Sequence, residues 1–305
     1  MILRVFPHRT SYTPTDVAAF IGGPGDDSTL LAPHDPPPAG KVEAVHVSVC
    51  FTWDLSRGWR LVRAWQQHYA AGVPVLLGGP AVRSPCGDFV PGRYVREGIT
   101  YTSRGCDGGC AWCQVAAIEG RHRVIEDFAP GHIIADNDFL GCPWPHRERV
   151  YRMLGRQPFR VEFRGGLCAD KLTPQDVERI GRLRIAKSGL WFACDTAFAL
   201  EALEWAAHLL KPLGLGREKL RCYVLAGFDP VNSPESIDGR CREIWQLGFI
   251  PFLQMYRGPD ETTRRRWPDK WAVVCKRWSR PALSRRAMRP EAVGTLSMQA
   301  LRHGD

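Results

Sequence analysis

No run of apolar residues approaches the roughly 20 needed to cross a bilayer. The opening residues, Met1 to Arg9, lack both a long apolar core and a small-residue cleavage site. The sequence therefore predicts neither a membrane span nor a secretory signal, and a cytoplasmic protein is expected. A disulfide framework is missing too. The 11 cysteines in 305 residues are odd in number, and most sit singly in apolar runs such as Val49-Cys50-Phe51 and Ala193-Cys194-Asp195. Secreted scaffolds are shorter, denser and even in count, so reduced thiols are the simpler reading, and a tight cysteine cluster then suggests a metal. Acidic residues are scarce in one place. Residues 257–290 hold eleven Arg and Lys against three acids, which accounts for most of the net charge of +9. A single basic segment suggests a local anionic contact rather than a generally basic protein. There is no internal repeat beyond an alternation of strands and helices.

What is present is 44% hydrophobic, enough for a large core. Residues 1–41 are rich in Pro, Gly and Asp, with Gly22-Gly23-Pro24-Gly25 and Pro36-Pro37-Pro38, and read mostly as loop. Residues 42–51 alternate and are β-branched, 56–71 carry Leu61, Trp65 and His68 at helical spacing, and 73–77 form a short apolar run before Gly78-Gly79-Pro80. That is one βαβ unit of Rossmann-like character. From Gly98 the alternation becomes regular. Strands are expected at 98–103, 132–138, 160–163, 190–194, 220–227 and 249–256, with helices at 147–155, 173–183, 197–213 and 234–247. Thr173-Pro174 places a capping hydroxyl before a proline at the first helical position. The expected fold class is α/β: an open (β/α)6 partial TIM barrel, a small N-terminal Rossmann-like segment and a basic C-terminal tail. The expected divisions are 1–94, 95–256 and 257–305. Strand tips at Asp136, Gly165, Asp195, Gly227 and Gln254 would face one mouth, where α/β folds carry their chemistry.

The segment Cys106-Asp107-Gly108-Gly109-Cys110-Ala111-Trp112-Cys113 is a Cys-x3-Cys-x2-Cys pattern that follows the first of those strands. Three thiolates supply three of the four ligands that a [4Fe–4S] cluster takes, leaving one iron open. Gly105, Gly108 and Gly109 give the loop backbone freedom. The alternative is a zinc site with His122 as fourth ligand, although zinc sites more often use Cys-x2-Cys pairs.

At these residues the sequence resembles the radical S-adenosylmethionine (SAM) superfamily, and within it the B12-binding and MiaB-type members. The resemblance is carried by Thr102-Ser103-Arg104-Gly105 and the cysteine loop, then Asp136-Asn137-Asp138, Phe163-Arg164-Gly165-Gly166-Leu167, Phe192-Ala193-Cys194-Asp195-Thr196 and Tyr223-Val224-Leu225-Ala226-Gly227-Phe228. It covers roughly residues 95–256. The N-terminal Phe51-Thr52-Trp53-Asp54 and Gly78-Gly79-Pro80-Ala81 are similar to uncharacterised radical SAM proteins of phage type. The resemblance implies that Cys106, Cys110 and Cys113 ligate the cluster and that SAM binds its open iron. Reduction of SAM would then yield a 5′-deoxyadenosyl radical that takes hydrogen from a substrate. It implies SAM-binding roles for Asp136, Asn137 and Asp138, where the family often has Gly-Gly-Glu, and for Asp195-Thr196, which resembles the family's Glu-Ser. Gly165-Gly166 would allow close backbone approach. An electron donor such as flavodoxin or ferredoxin is implied as partner. The Asp-x-His-x-x-Gly cobalamin motif and a second three-cysteine cluster are absent, so neither cobalamin nor sulfur insertion is expected.

Cys142, Cys168, Cys194 and Cys222 lie at or near strand ends, each either a reactive thiol or a small buried hydrophobe. Cys142, in Gly141-Cys142-Pro143-Trp144, is the least core-like of the four and the candidate catalytic residue. Asp136, Asn137 and Asp138 either meet a ligand or serve as caps and turn contacts. In the tail, Trp267, Trp271, Val274 and Trp278 recur at helical spacing among the basic residues. They suit a helix docked on the barrel, a nucleic-acid contact through 257–290, or both. The leading expectation is an enzyme acting on a nucleic acid base or nucleotide, with a small metabolite or a peptide second. A zinc-stabilised nucleic-acid-binding protein is the non-enzymatic alternative.

Overall fold

The computed structural model describes residues 1–15, 18–23, 41–69, 72–82, 92–258 and 268–289. Pro36-Pro37-Pro38, Cys86, Arg264, Arg265, Arg266 and Trp267 lie outside them. The chain divides into two compact units, Met1–Gly131 with Gly258–Arg264, and His132–Arg257 with Arg265–Asp305. The sequence placed divisions after 94 and 256. The compact units instead assign the cysteine loop to the first unit and the C-terminal helices to the second.

In the first unit, β1 (Ile2–Phe6), β2 (Ala19–Ile21), β3 (Ala44–Ser48) and β4 (Val75–Gly78) form a sheet in the order β2-β1-β3-β4. Every pairing in it is parallel. To the reading of residues 1–41 as mostly loop the structure adds two short strands, β1 and β2. Leu3 and Val5 alternate inward and are fully buried, a signal of two residues that the surrounding Pro, Gly and Asp obscured. The βαβ unit stands as expected. Helix α1 (Leu55–Tyr69) buries Leu61, Val62 and Trp65 against Val45, Val47 and Leu77. Gly58 permits that close seat, because a Cβ there would come within 2.6 Å of the Val49 side chain.

The strand expected over 98–103 is split into β5 (Ile99–Thr100) and β6 (Ser103–Arg104). β6 turns away to pair antiparallel with β7 (Arg123–Val124), and α2 (Val115–Glu119) lies between these two strands in the chain.

The second unit runs β8 (Ile133–Ile134), α3 (Trp144–Gly155), β9 (Val161–Leu167), α4 (Pro174–Gly181), β10 (Ile185–Ala193), α5 (Phe198–Leu210), β11 (Leu220–Ala226), α6 (Pro234–Gln246), β12 (Ile250–Met255), α7 (Asp269–Ser279) and α8 (Pro281–Ala287). Its strands lie side by side in sequence order, all parallel. Crossovers between parallel neighbours are right-handed as a rule, which would place the connecting helices on one face. The burial of β11 shows the consequence: Leu220, Cys222, Val224 and Ala226 are buried, while Arg221, Tyr223 and Leu225 are half-buried. On that second face Trp191 stacks on Tyr223 at 4.5 Å between ring centroids, and Phe252 meets Trp191 edge-on.

Thr173 caps α4 as expected, accepting from the Asp176 amide while the Asp176 carboxylate accepts from the Thr173 amide. Among the described residues no helix is long and apolar enough to cross a membrane.

Two expectations about strand ends change. β9 continues through Gly165-Gly166 to Leu167, so the glycines lie within the strand. β8 ends at Ile134, so Asp136-Asn137-Asp138 lies beyond it.

Candidate functional site

The cysteine loop is an excursion of residues 105–122 tied at its base. The Arg104 guanidinium pairs with one Glu119 oxygen, and the Gly105 amide donates to the other at 3.1 Å. Arg104 also lies over the Tyr101 ring at 4.7 Å. Asp107 accepts from the His122 amide at 3.2 Å, and the Cys106 amide donates to the Gly120 carbonyl at 3.4 Å. Gly105 has φ +76°, and a Cβ there would lie 2.2 Å from the Arg121 carbonyl oxygen, so only glycine fits where the two arms of the loop touch.

Within the loop, Cys106 is half-buried and Cys110 and Cys113 are exposed. A Cβ on Gly108 would lie 3.2 Å from the Cys106 sulfur and 3.8 Å from the Cys110 sulfur, so the two thiols flank a space that glycine leaves open. The Gly108 amide donates to the Cys106 sulfur at 3.3 Å and the Val115 amide to the Cys113 sulfur at 3.5 Å. Such donors suit sulfur that carries negative charge. Among the described residues, no three His, Cys, Asp or Glu side chains are gathered around one point as a metal ion requires, and His122 does not complete such a set. A zinc ion holds every sulfur about 2.3 Å from a single centre. A four-iron cluster binds each cysteine through a different iron, so its thiolates stay apart.

In the second unit the polar strand ends have structural partners. Asp138 caps the short helical turn Phe139–Gly141, accepting from the Gly141 amide at 3.1 Å, and it pairs with Lys171 at 2.5 Å. Asp195 accepts from the Leu225 amide at 2.8 Å, and its backbone carbonyl accepts from Arg240 at 2.7 Å. The Thr196 hydroxyl accepts from the Ala199 amide at 3.2 Å at the start of α5. Asp136 is 1% exposed and Asn137 is half-buried. Gly165 serves close approach, but to protein: a Cβ there would lie 1.6 Å from the Asp136 carbonyl oxygen. Gly166 has φ +93°.

Cys142 is corrected from least core-like to core. It is 2% exposed and ends the Phe139–Gly141 turn, donating its amide to the Phe139 carbonyl. Cys194 and Cys222 are fully buried, and burial pushes the Cys194 thiol up to about 12, which keeps it protonated at neutral pH. Of the four thiols singled out in this unit, Cys168 is the exposed one. In the tail, Trp271, Val274 and Trp278 form the buried face of α7, as the docked-helix reading expected. Asp238 holds that face: it accepts from the Trp278 indole at 2.7 Å and from Arg277 and Arg242 at 2.8 Å each. Trp271 and Trp278 are therefore buried against protein rather than offered for base stacking.

No family model matches this sequence, and no curated protein matches it.

The sequence reading missed two groups. The Arg104–Glu119 clamp spans 15 residues, and no local pattern marks such a pairing. The other group is a pile of three rings in the first unit. His8 stacks on Phe51 at 6.0 Å and 10°, and Phe51 on Trp53 at 4.6 Å and 6°. Its visible signal was Phe51-Thr52-Trp53-Asp54 directly after a strand.

Proposed function

We propose that this chain is a radical SAM enzyme in which Cys106, Cys110 and Cys113 hold a [4Fe–4S] cluster. The observation that carries the reading is the loop itself: three thiols on eight residues, two of them flanking the space at Gly108, with backbone amides aimed at two of the sulfurs. When bound, such a cluster supplies an open iron for SAM and the electron that cleaves it to a 5′-deoxyadenosyl radical. The chain's own contribution is to hold and tune. The amides of Gly108 and Val115 stabilise thiolate charge, and hydrogen bonds to sulfur are one of the levers on cluster potential. The Arg104–Glu119 clamp fixes the base of the loop.

The sequential parallel strands of the second unit, with one face half-open, suit an open (β/α) partial barrel. Asp138, Asp195 and Thr196 have structural bonds that a SAM contact would have to share or replace. The substrate class is a nucleic acid base or nucleotide. Lys270, Lys276, Arg280, Arg285 and Arg286 are exposed on α7, α8 and the turn between them, which suits phosphate neutralisation. A flavodoxin or ferredoxin as electron donor and a reducing cytoplasm complete the reading. Cobalamin has no part in it.

The test is anaerobic purification and reconstitution, followed by iron, sulfide and zinc analysis and then dithionite with SAM. About four irons per chain and formation of 5′-deoxyadenosine are expected. Cys110→Ala should fold and lose both. Stoichiometric zinc without iron or SAM cleavage would overturn the assignment.

A further inference from the structure

The sheet order β2-β1-β3-β4 has a property that the cysteine loop does not use. From β1 the chain moves outward to β2, then returns to lay β3 on the other side of β1 and β4 beyond it. In open parallel sheets such a reversal opens a crevice at the carboxyl ends of the two central strands, because their connections leave in opposite directions. Here those strands are β1 and β3. The residues directly after them are Pro7 and His8, and Val49 to Asp54.

Those segments supply the three-ring pile. His8, Phe51 and Trp53 lie nearly parallel, with interplanar angles of 10° and 6°. None of the three is fully buried. Beside the pile the His8 imidazole Nδ1 is 3.4 Å from an Asp54 oxygen, with the His8 side chain 43% exposed and Asp54 15%. Flat aromatic faces next to a carboxylate and an imidazole match one kind of ligand: a planar ring whose face stacks and whose edge or hydroxyl groups hydrogen-bond. A carboxylate at this position disfavours a phosphate, so the ring and its hydroxylated substituent are the recognised parts. Cys50 lies between the strand and the pile. Burial and the neighbouring Asp54 push its thiol up to about 11.

We propose that the crevice at the carboxyl ends of β1 and β3 is a binding site for a planar nitrogen heterocycle carrying hydroxyl groups, with the ring stacking on the His8–Phe51–Trp53 pile and Asp54 and His8 binding its polar edge. Nucleosides and flavins share this chemistry. The site does not depend on the metal reading.

The experiment is isothermal titration of the full chain with adenosine, cytidine and riboflavin, each alone. At least one should bind with a dissociation constant below 1 mM. Trp53→Ala should weaken that binding about tenfold or more, the size of one lost ring stack. Trp53→Phe, which keeps a ring, should restore most of it, and His8→Ala gives an independent reading if Trp53→Ala does not fold. Cys110→Ala should bind as wild type, which separates this site from the metal loop and from any adenosine bound in place of SAM. Preference for adenosine or cytidine over riboflavin would identify a nucleoside site, and the reverse a flavin site. Absence of binding by all three, or binding unchanged in both Trp53→Ala and His8→Ala, would overturn the proposal.

Discussion

Glu119 is the residue whose removal should most directly loosen the cysteine loop. Its two carboxylate oxygens hold the Arg104 guanidinium and the Gly105 amide, and the pair is nearly out of water, with side chains 5% and 12% exposed. Among the described residues Arg104 Nε has no hydrogen-bond partner of its own, so Glu119 is the main compensation for a buried positive charge. Glu119→Ala leaves that charge and one amide uncompensated. Breaking a buried pair from one side costs about 3–5 kcal/mol, which corresponds to a rise in local opening of about 10²- to 4 × 10³-fold at 1.4 kcal/mol per tenfold. Hydrogen exchange of the β6 and β7 amides, Arg104 to Ser103 and Arg123 to Val124, reads this opening without requiring the two units to unfold together. Glu119→Gln keeps an acceptor and should cost less. The double change Arg104→Leu with Glu119→Leu should recover much of the loss, because removing both charges removes the desolvation problem. Exchange altered less than about threefold in Glu119→Ala would refute the clamp.

Asp238→Ala should undock α7, since it strands the fully buried Trp278 indole N–H and leaves Arg242 and Arg277 without their acceptor. A loss of about 2–3 kcal/mol is expected, read as faster proteolysis near 268–289. The same group sets an acid limit. Burial alone would raise the Asp238 carboxyl, but hydrogen bonds from Trp278, Arg242 and Arg277 hold it below the ordinary range. Its contribution is thus present above the unfolded value of about 3.9 and is lost as pH falls below it. Tail proteolysis should rise below about pH 4 in wild type and be pH-independent there in Asp238→Asn. Gly165→Ala should fail to fold or melt far lower, because its Cβ would lie 1.6 Å from the Asp136 carbonyl oxygen; a melting temperature within a few degrees of wild type would show that β9 can shift.

Much of the second unit was legible because each of its elements announces itself locally. Long helices such as α5 and α6 show apolar spacing, and strands such as β11 alternate or run apolar between turn residues. Thr173 and Pro174 even marked a helix start to the residue. The short elements were not legible. β1 and β2 offer five and three residues in a Pro- and Gly-rich stretch, and they exist because β3 gives β1 a partner and α1 gives it a cover. A strand of that length has no periodicity to read, and only its neighbours make it favourable.

The candidate residues divide the same way. The sequence by itself determined that three thiols share one glycine-rich loop, because covalent spacing of eight residues cannot be undone by folding. It also determined that the tail is basic and that Trp271, Val274 and Trp278 share a helical face. Tertiary structure decided what each polar group does. Asp138 and Thr196 became caps, Asp195 a strand-end acceptor and Cys142 a core residue, because burial obliges polar groups to find partners far along the chain. It also decided that the segments after β1 and β3, some forty residues apart, come together as a stack of rings beside a carboxylate. That depends on strand order, and strand order is set by which surfaces can be buried together rather than by any residue alone.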